Sequence, residues 1–151
     1  MMIVARDVME TDVVSVLPGT PLSNLEDTLI GRHIGGVPVI ENGELLGIVS
    51  RSDIVRYFTI QRSLAELLGR QSASSAALEH QAPHLAVKDI MAESVVVVGP
   101  DTPISEVARM MVDRHVHRLL VTEGEQVLGI ISALDLAHLI ADERLVGNSK
   151  T

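Results

Sequence analysis

Two Ser-x-x-Asp segments, Ser50-Arg51-Ser52-Asp53 and Ser132-Ala133-Leu134-Asp135, have the residue types and spacing to address a ligand. Each follows an apolar run through Gly47-Ile48-Val49 or Gly129-Ile130-Ile131, where a strand is expected to give way to a helix. At such a junction a carboxylate can accept hydrogen bonds from vicinal hydroxyls such as those of a ribose. A serine hydroxyl can donate to a ribose or phosphate oxygen, and the free amides of the helix N-terminus favour negative charge. The same spacing is also that of a capping box, in which serine and acid satisfy the first helix amides and nothing more. Both readings make the same demand on the chain, so the motif alone leaves both standing.

A cationic pair precedes the second motif and has no counterpart at the equivalent positions of the first. Val116-His117-Arg118-Leu119 offers a planar, permanently charged guanidinium fork for a phosphate, with His117 as a donor beside it. The bland alternative is an exposed helix-to-strand connection. At the corresponding place in the first half stands Ile34-Gly35-Gly36-Val37, which carries no charge. Arg51, Arg32 and Arg114 are substitutes there, and no spacing chooses among them. The two candidate sites are therefore expected to be unequal. Six histidines invite a metal reading, but only His115 and His117 alternate. No third ligand sits at metal-typical spacing and no His-Glu-x-x-His occurs, so no metal site is expected. His33 and His115 suit helix C-terminal ends. Without a Gly-x-Ser-x-Gly, a phosphate-binding glycine loop ending in Lys-Ser/Thr, or paired acids beside an oxyanion donor, the chain is not expected to be an enzyme or to carry a catalytic cofactor.

The elements that must position these groups are written twice. Under a displacement of 82 positions, Asp53 falls on Asp135, Met9 on Met91, Thr20-Pro21 on Thr102-Pro103 and Arg32-His33 on Arg114-His115. About 18 of the 47 positions between Asp7 and Asp53 are identical to their counterparts, which marks a tandem repeat. Each copy of about 50 residues is too small for a self-sufficient core, so the copies are expected to pack together about a pseudo-two-fold axis. The pattern within each copy reads strand, helix, strand, strand, helix. Val13, Val14 and Val16 form a short strand ended by Pro18-Gly19, and Val95 to Val98 form its counterpart. Thr20 and Thr102 read as N-caps of helices with proline at the first position, their apolar faces starting Leu22, Leu25, Leu29 and Ile104, Val107, Met111. Strands follow at Val37 to Ile40 and Leu119 to Thr122, then turns at Asn42-Gly43 and Glu123-Gly124-Glu125. The returning strands, Leu45 to Val49 and Val127 to Ile131, are almost wholly apolar. Helices are expected from Ile54 to about Leu68 and from Asp135 to about Leu145. Repeat 1 is placed at residues 1–70, a small-residue linker at 71–84 and repeat 2 at 85–151.

Composition sets the outer bounds. The chain has 151 residues, 46% apolar and 21% charged, with a formal charge of −8 and no cysteine. The absence of cysteine excludes disulfides, thiol catalysis and Cys-type zinc sites, and it fits a reducing compartment. The longest apolar runs fall well short of the roughly 20 residues that a membrane helix needs, and Met1 to Asp7 lacks the profile of a signal peptide. A cytoplasmic protein with no membrane contact is expected. The negative charge and scattered cations argue against nucleic acid. Met9, Met91, Met110 and Met111 read as gap-fillers in an aliphatic core.

The order Asp-apolar-Met, β-branched run, Thr-Pro with helix, Val-Pro-Val strand and Gly-apolar-apolar-Ser-x-x-Asp, repeated once over roughly residues 5 to 146, resembles a tandem pair of cystathionine β-synthase (CBS) domains. The resemblance implies an α/β (α+β) fold of two pseudo-symmetric β-α-β-β-α repeats packed through their sheets. Such pairs bind adenosine-containing ligands in their clefts and commonly form dimers. It places the ribose carboxylate at Asp53 and Asp135, its hydroxyl partner at Ser50 and Ser132, and the aliphatic pocket residue at Ile48 and Ile130. The stronger site would comprise Asp135, Ser132, Ile130, His117 and Arg118, lined from the other copy by Thr20, Ile34 and Gly35. The weaker would comprise Asp53, Ser50 and Ile48, lined by Thr102 and Val116. The reading is a non-catalytic regulatory module for energy sensing, with AMP, ADP or ATP as regulatory ligand, a homodimer, and an unidentified regulated protein as partner. The alternatives are an interaction module with empty clefts and a sensor of S-adenosylmethionine, whose sulfonium would gain nothing from Arg118.

Overall fold

The computed structural model describes residues 2–69 and 84–142. Of the linker expected at 71–84 only His84 falls within them, and the expected helix end near Leu145 lies outside them. Contacts divide the chain into two compact units, one of residues 14–94 and the other of residues 1–13 with 95–151.

In the first unit α1 (Leu22–Gly31) is followed by β1 (Gly36–Glu41), β2 (Glu44–Ser50), α2 (Arg51–Leu67) and the single turn α3 (Val87–Ile90). Leu22, Leu25 and Leu29 repeat at helical spacing and bury one face of α1 almost completely. They meet Val37 and Val39 of β1, Val49 of β2 and Val87 of α3 in one aliphatic core. β1 and β2 pair antiparallel from Gly36 opposite Ser50 to Val39 opposite Gly47. Ile40 then pairs with Leu45, leaving Leu46 as a bulge. Asn42 and Gly43 both take positive φ, 53° and 78°, as the tight turn of a two-residue hairpin requires.

The other unit repeats this plan with β3 (Val97–Val98), α4 (Ile104–Arg114), β4 (Arg118–Glu123), β5 (Gln126–Ser132) and α5 (Ala133–Ala141). Ile104, Val107 and Met111 of α4 pack with Leu119, Val121, Ile131 and Leu139. β4 and β5 pair antiparallel from Arg118 opposite Ser132 to Val121 opposite Gly129, with the bulge at Leu128. β3 lies parallel to β4.

Two local expectations are corrected. The helices begin one residue later than the Thr-Pro pattern suggests: Pro21 and Pro103 occupy the N-cap positions and neither threonine caps. Pro21 is instead held extended, because Val87 N donates to Thr20 O (2.9 Å) and Leu22 N to Leu85 O (3.1 Å) on either side of it. Thr20 Oγ1 accepts from Leu17 N (3.2 Å). The expected first strand at Val13 to Val16 shrinks to one bridge between Val16 and Val39, since Pro18 and Gly19 cut it short. Helices α2 and α5 begin at Arg51 and Ala133, directly after the serines.

Each unit is completed by a strap from the neighbouring part of the sequence repeat. In the 1–13/95–151 unit, Ala5 N donates to Thr102 O (2.8 Å), Arg6 N to Pro100 O (2.9 Å) and Ile104 N to Ile3 O (3.0 Å). Ala5 is fully buried in that core, and Met9 packs beside it. In the 14–94 unit the counterparts are Val87 N to Thr20 O and Lys88 N to Pro18 O (2.9 Å), with Val87 fully buried. The straps end on the returning strands. Glu10 and Ile130 exchange both main-chain hydrogen bonds (2.9 and 3.1 Å), as do Ala92 and Ile48 (2.8 and 2.9 Å). Met9 then lies over Gly129, and Met91 with the Ala92 carbonyl over Gly47.

Candidate functional site

The alternation of strands decides which side chains can meet a ligand. Leu119, Val121 and Ile131 point into the core of their unit. Arg118, Leu120, Ile130 and Ser132 therefore share the opposite face, with Arg118 directly across from Ser132 and Leu120 across from Ile130. The residues expected at the stronger site from this unit, Asp135, Ser132, Ile130, His117 and Arg118, are thus gathered at one end of the β4–β5 pair. His117 is exposed, and its carbonyl accepts from Ala133 N (2.8 Å), which ties the connection before β4 to the first residue of α5.

Both Ser-x-x-Asp motifs bond serine to acid at the helix start, and the Ser132–Asp135 pair closes the capping box in full. Asp135 Oδ2 accepts from Ser132 N (2.7 Å) and Ser132 Oγ (2.9 Å), while Asp135 N donates back to Ser132 Oγ (3.2 Å). This engages one carboxylate oxygen. Among the hydrogen bonds of the described residues, Oδ1 of Asp135 has no partner, so cap and ligand contact are compatible on one side chain. Asp53 Oδ2 likewise accepts from Ser50 N (2.8 Å) and Ser50 Oγ (3.0 Å), but its Oδ1 lies 3.5 Å from Arg56 Nη1. The position equivalent to Arg56 is His138. A guanidinium thus competes for the second oxygen in one unit only.

In the 14–94 unit the face that carries Ile48 and Ser50 has Pro38 and Gly36 where the other has Leu120 and Arg118. Gly35 O accepts from Arg51 N (3.0 Å), so Gly35 sits beside the Ser50–Asp53 motif of its own unit. Ile34 and Val116 pack against the cores of their own units. Thr20 and Thr102 hold the straps by their carbonyls. Thr20, Ile34 and Gly35 belong to the unit of Asp53, and Thr102 and Val116 to the unit of Asp135. His33 and His115, just past α1 and α4, both have φ of 53° and occupy the left-handed region that often ends helices. No group of three metal-ligating side chains converges among the described residues. No helix among them is long and apolar enough to cross a membrane.

The site reading missed the straps. Their signal is present only as a contrast between repeats: Glu10 stands where Ala92 stands in the other copy, next to Met9 and Met91, which match.

Comparison with known proteins agrees with this architecture. The CBS domain family matches residues 5–60 and 87–142. The CBS domain-containing protein YhcV of Bacillus subtilis is 25% identical over 132 residues, covering 87% of this chain and 81% of that protein. Protein MJ1225 of Methanocaldococcus jannaschii is 21% identical over 147 residues, and the chain spans 46% of its length. The gamma-3 subunit of 5′-AMP-activated protein kinase of Sus scrofa is 27% identical over 131 residues, 85% of this chain and 23% of that subunit. Among solved structures, the CBS domain pair of protein MJ0100, in complex with 5′-methylthioadenosine and S-adenosyl-L-methionine, superposes with a TM-score of 0.74 at 19% identity. It covers 95% of this chain and 99% of that one. With both repeats matched over most of the sequence, the chain belongs to the CBS domain family as a tandem pair.

Proposed function

We propose that the protein is a non-catalytic regulatory module that binds AMP, ADP or ATP over Ser132 and Asp135. The observation that carries this reading is the juxtaposition of Arg118 with Ser132 across β4–β5, beside a carboxylate whose second oxygen has no partner among the described residues. The ribose hydroxyls would donate to Asp135, the base would rest on Ile130, and the phosphate would meet Arg118 and His117. Relatives of the family support an adenosine ligand: one is a subunit of an AMP-activated kinase and another holds two adenosyl compounds. The Asp53 motif is the weaker site, because Gly36 replaces the cation and Arg56 engages the acid. The cysteine-free composition supports a cytoplasmic setting.

Calorimetric titration with adenosine and AMP tests the phosphate arm. Arg118→Ala is expected to leave adenosine affinity unchanged and to lower AMP affinity about tenfold, the worth of one charge-assisted hydrogen-bond pair. A variant that prefers AMP over adenosine as strongly as the parent removes Arg118 from the site.

The capping bonds favour one rival, an interaction module in which the motif serves α2 and α5 alone. Silence across AMP, ADP, ATP and S-adenosylmethionine at millimolar concentration would support it. Self-association is part of either reading. Helix α2 has no buried residue and exposes Val55, Ile60, Leu64 and Leu67, apolar surface that a second copy can cover. Light scattering is expected to give the mass of two chains, and a monomer at micromolar concentration would refute the dimer.

A further inference from the structure

The strap places a carboxylate on the side of β5 that carries Ile130. Glu10 and Ile130 are directly opposed and exchange both main-chain hydrogen bonds, so their side chains lie on the same face. Met9, one residue earlier, packs with the core and lies over Gly129, as the alternation requires. Ile130 therefore has Leu120 of β4 on one flank and Glu10 of the strap on the other. Arg118 lies on the β4 side, across from Ser132. A cation on one flank and an acid on the other give this face a polarity along which a ligand with an anionic end and a donor-bearing end would align.

Glu10 has an oxygen to spare. Its Oε1 accepts from Asp12 N (3.1 Å), which turns the carboxylate back along the strap and limits its rotamers. Oε2 has no hydrogen-bond partner among the described residues. In the 14–94 unit the residue opposite Ile48 is Ala92, which offers no acceptor.

On the reading that a nucleoside sits over Asp135, we propose that Glu10 is a specificity-determining residue that accepts a hydrogen bond from the exocyclic amine of the base. A carboxylate only accepts, so it rewards a 6-amino purine and repels a 6-oxo purine, whose oxygen would face it with no proton between them. The ligand class is thereby narrowed to 6-amino purines over 6-oxo purines, and the contribution comes from a side chain on the strap, outside the Ser-x-x-Asp motif. The Ile48 face lacks this discrimination.

Titration of the full chain with adenosine and inosine tests the assignment. The parent is expected to bind adenosine at least tenfold more tightly than inosine. Glu10→Ala brings the two within about threefold, chiefly by weakening adenosine. Glu10→Gln presents an amide that can donate to the 6-oxo group, so inosine affinity rises about tenfold over the parent. Both variants retain the main-chain bridge to Ile130, and slow amide exchange at residues 10 and 130 verifies that the strap stays docked. A parent that binds both nucleosides equally, or a Glu10→Ala protein that keeps the parent's selectivity, overturns the role of Glu10 and leaves the Asp135 site intact. A parent that binds neither nucleoside overturns the site and the assignment together.

Discussion

Asp135→Ala is expected to abolish the proposed binding of adenosine and AMP alike, with a loss of roughly a hundredfold or more in affinity by calorimetry. The size follows from the chemistry: a carboxylate oxygen receiving ribose hydroxyls makes charge-assisted bonds of about 1.5–3 kcal/mol each, and alanine leaves the sugar unmet. The side chain also caps α5 through Ser132 N and Ser132 Oγ. Its removal therefore costs about 1 kcal/mol of stability, whether or not a ligand is present. Asp53→Ala separates the two effects, because Asp53 makes the matching bonds to Ser50 at the start of α2. Both variants should melt a few degrees early, and only Asp135→Ala should lose the ligand. An Asp135→Ala protein that binds adenosine within threefold of the parent would remove the carboxylate from the site.

Gly47→Ala is expected to be the most destabilising small substitution in the 14–94 unit. A Cβ at residue 47 would lie 2.5 Å from Ala92 O, a main-chain atom held in place by its bond from Ile48 N. Either the strap moves off β2 and both bonds to Ile48 weaken, or the strand distorts. Overpacking of this kind with loss of main-chain pairing costs about 3 kcal/mol, read as a lower urea midpoint. Gly129→Ala meets Met9 instead, with Cγ and Sδ at 2.7 Å. Methionine repacks more easily than a carbonyl, so the loss should be smaller, and Met9→Ala in the same chain should recover part of it. A Gly47→Ala protein as stable as the parent would show that residues 91 and 92 do not cover this glycine.

Much of this was legible because the repeat reports each local pattern twice. The positions of α1 and α4, the paired strands, the Asn42-Gly43 turn and the capping potential of Ser50 and Ser132 all follow from periodicity and turn chemistry within a few residues. Even the inequality of the two motifs was visible in Arg118 against Gly36. The straps were not legible, and the reason is physical. Periodicity says that Met9 is apolar and faces a core, but it does not choose between Gly47 and Gly129, which sit in nearly identical surroundings. The choice is made by long-range pairing, and the same pairing overrode the capping preference of Thr20. Glu10 escaped notice for the same reason: its importance comes from Ile130, 120 positions away in sequence.

The division of the chain also sets an order of assembly during synthesis. Residues 14–94 are contiguous and hold all the described elements of their unit, so that unit can close once residue 94 has left the ribosome. Ala5 and Met9 are made before that unit, and their partners Thr102 and Gly129 after it. Residues 5–9 must therefore wait until the whole intervening unit has been made before they find their place, and closing the later unit costs more loop entropy than closing the earlier one.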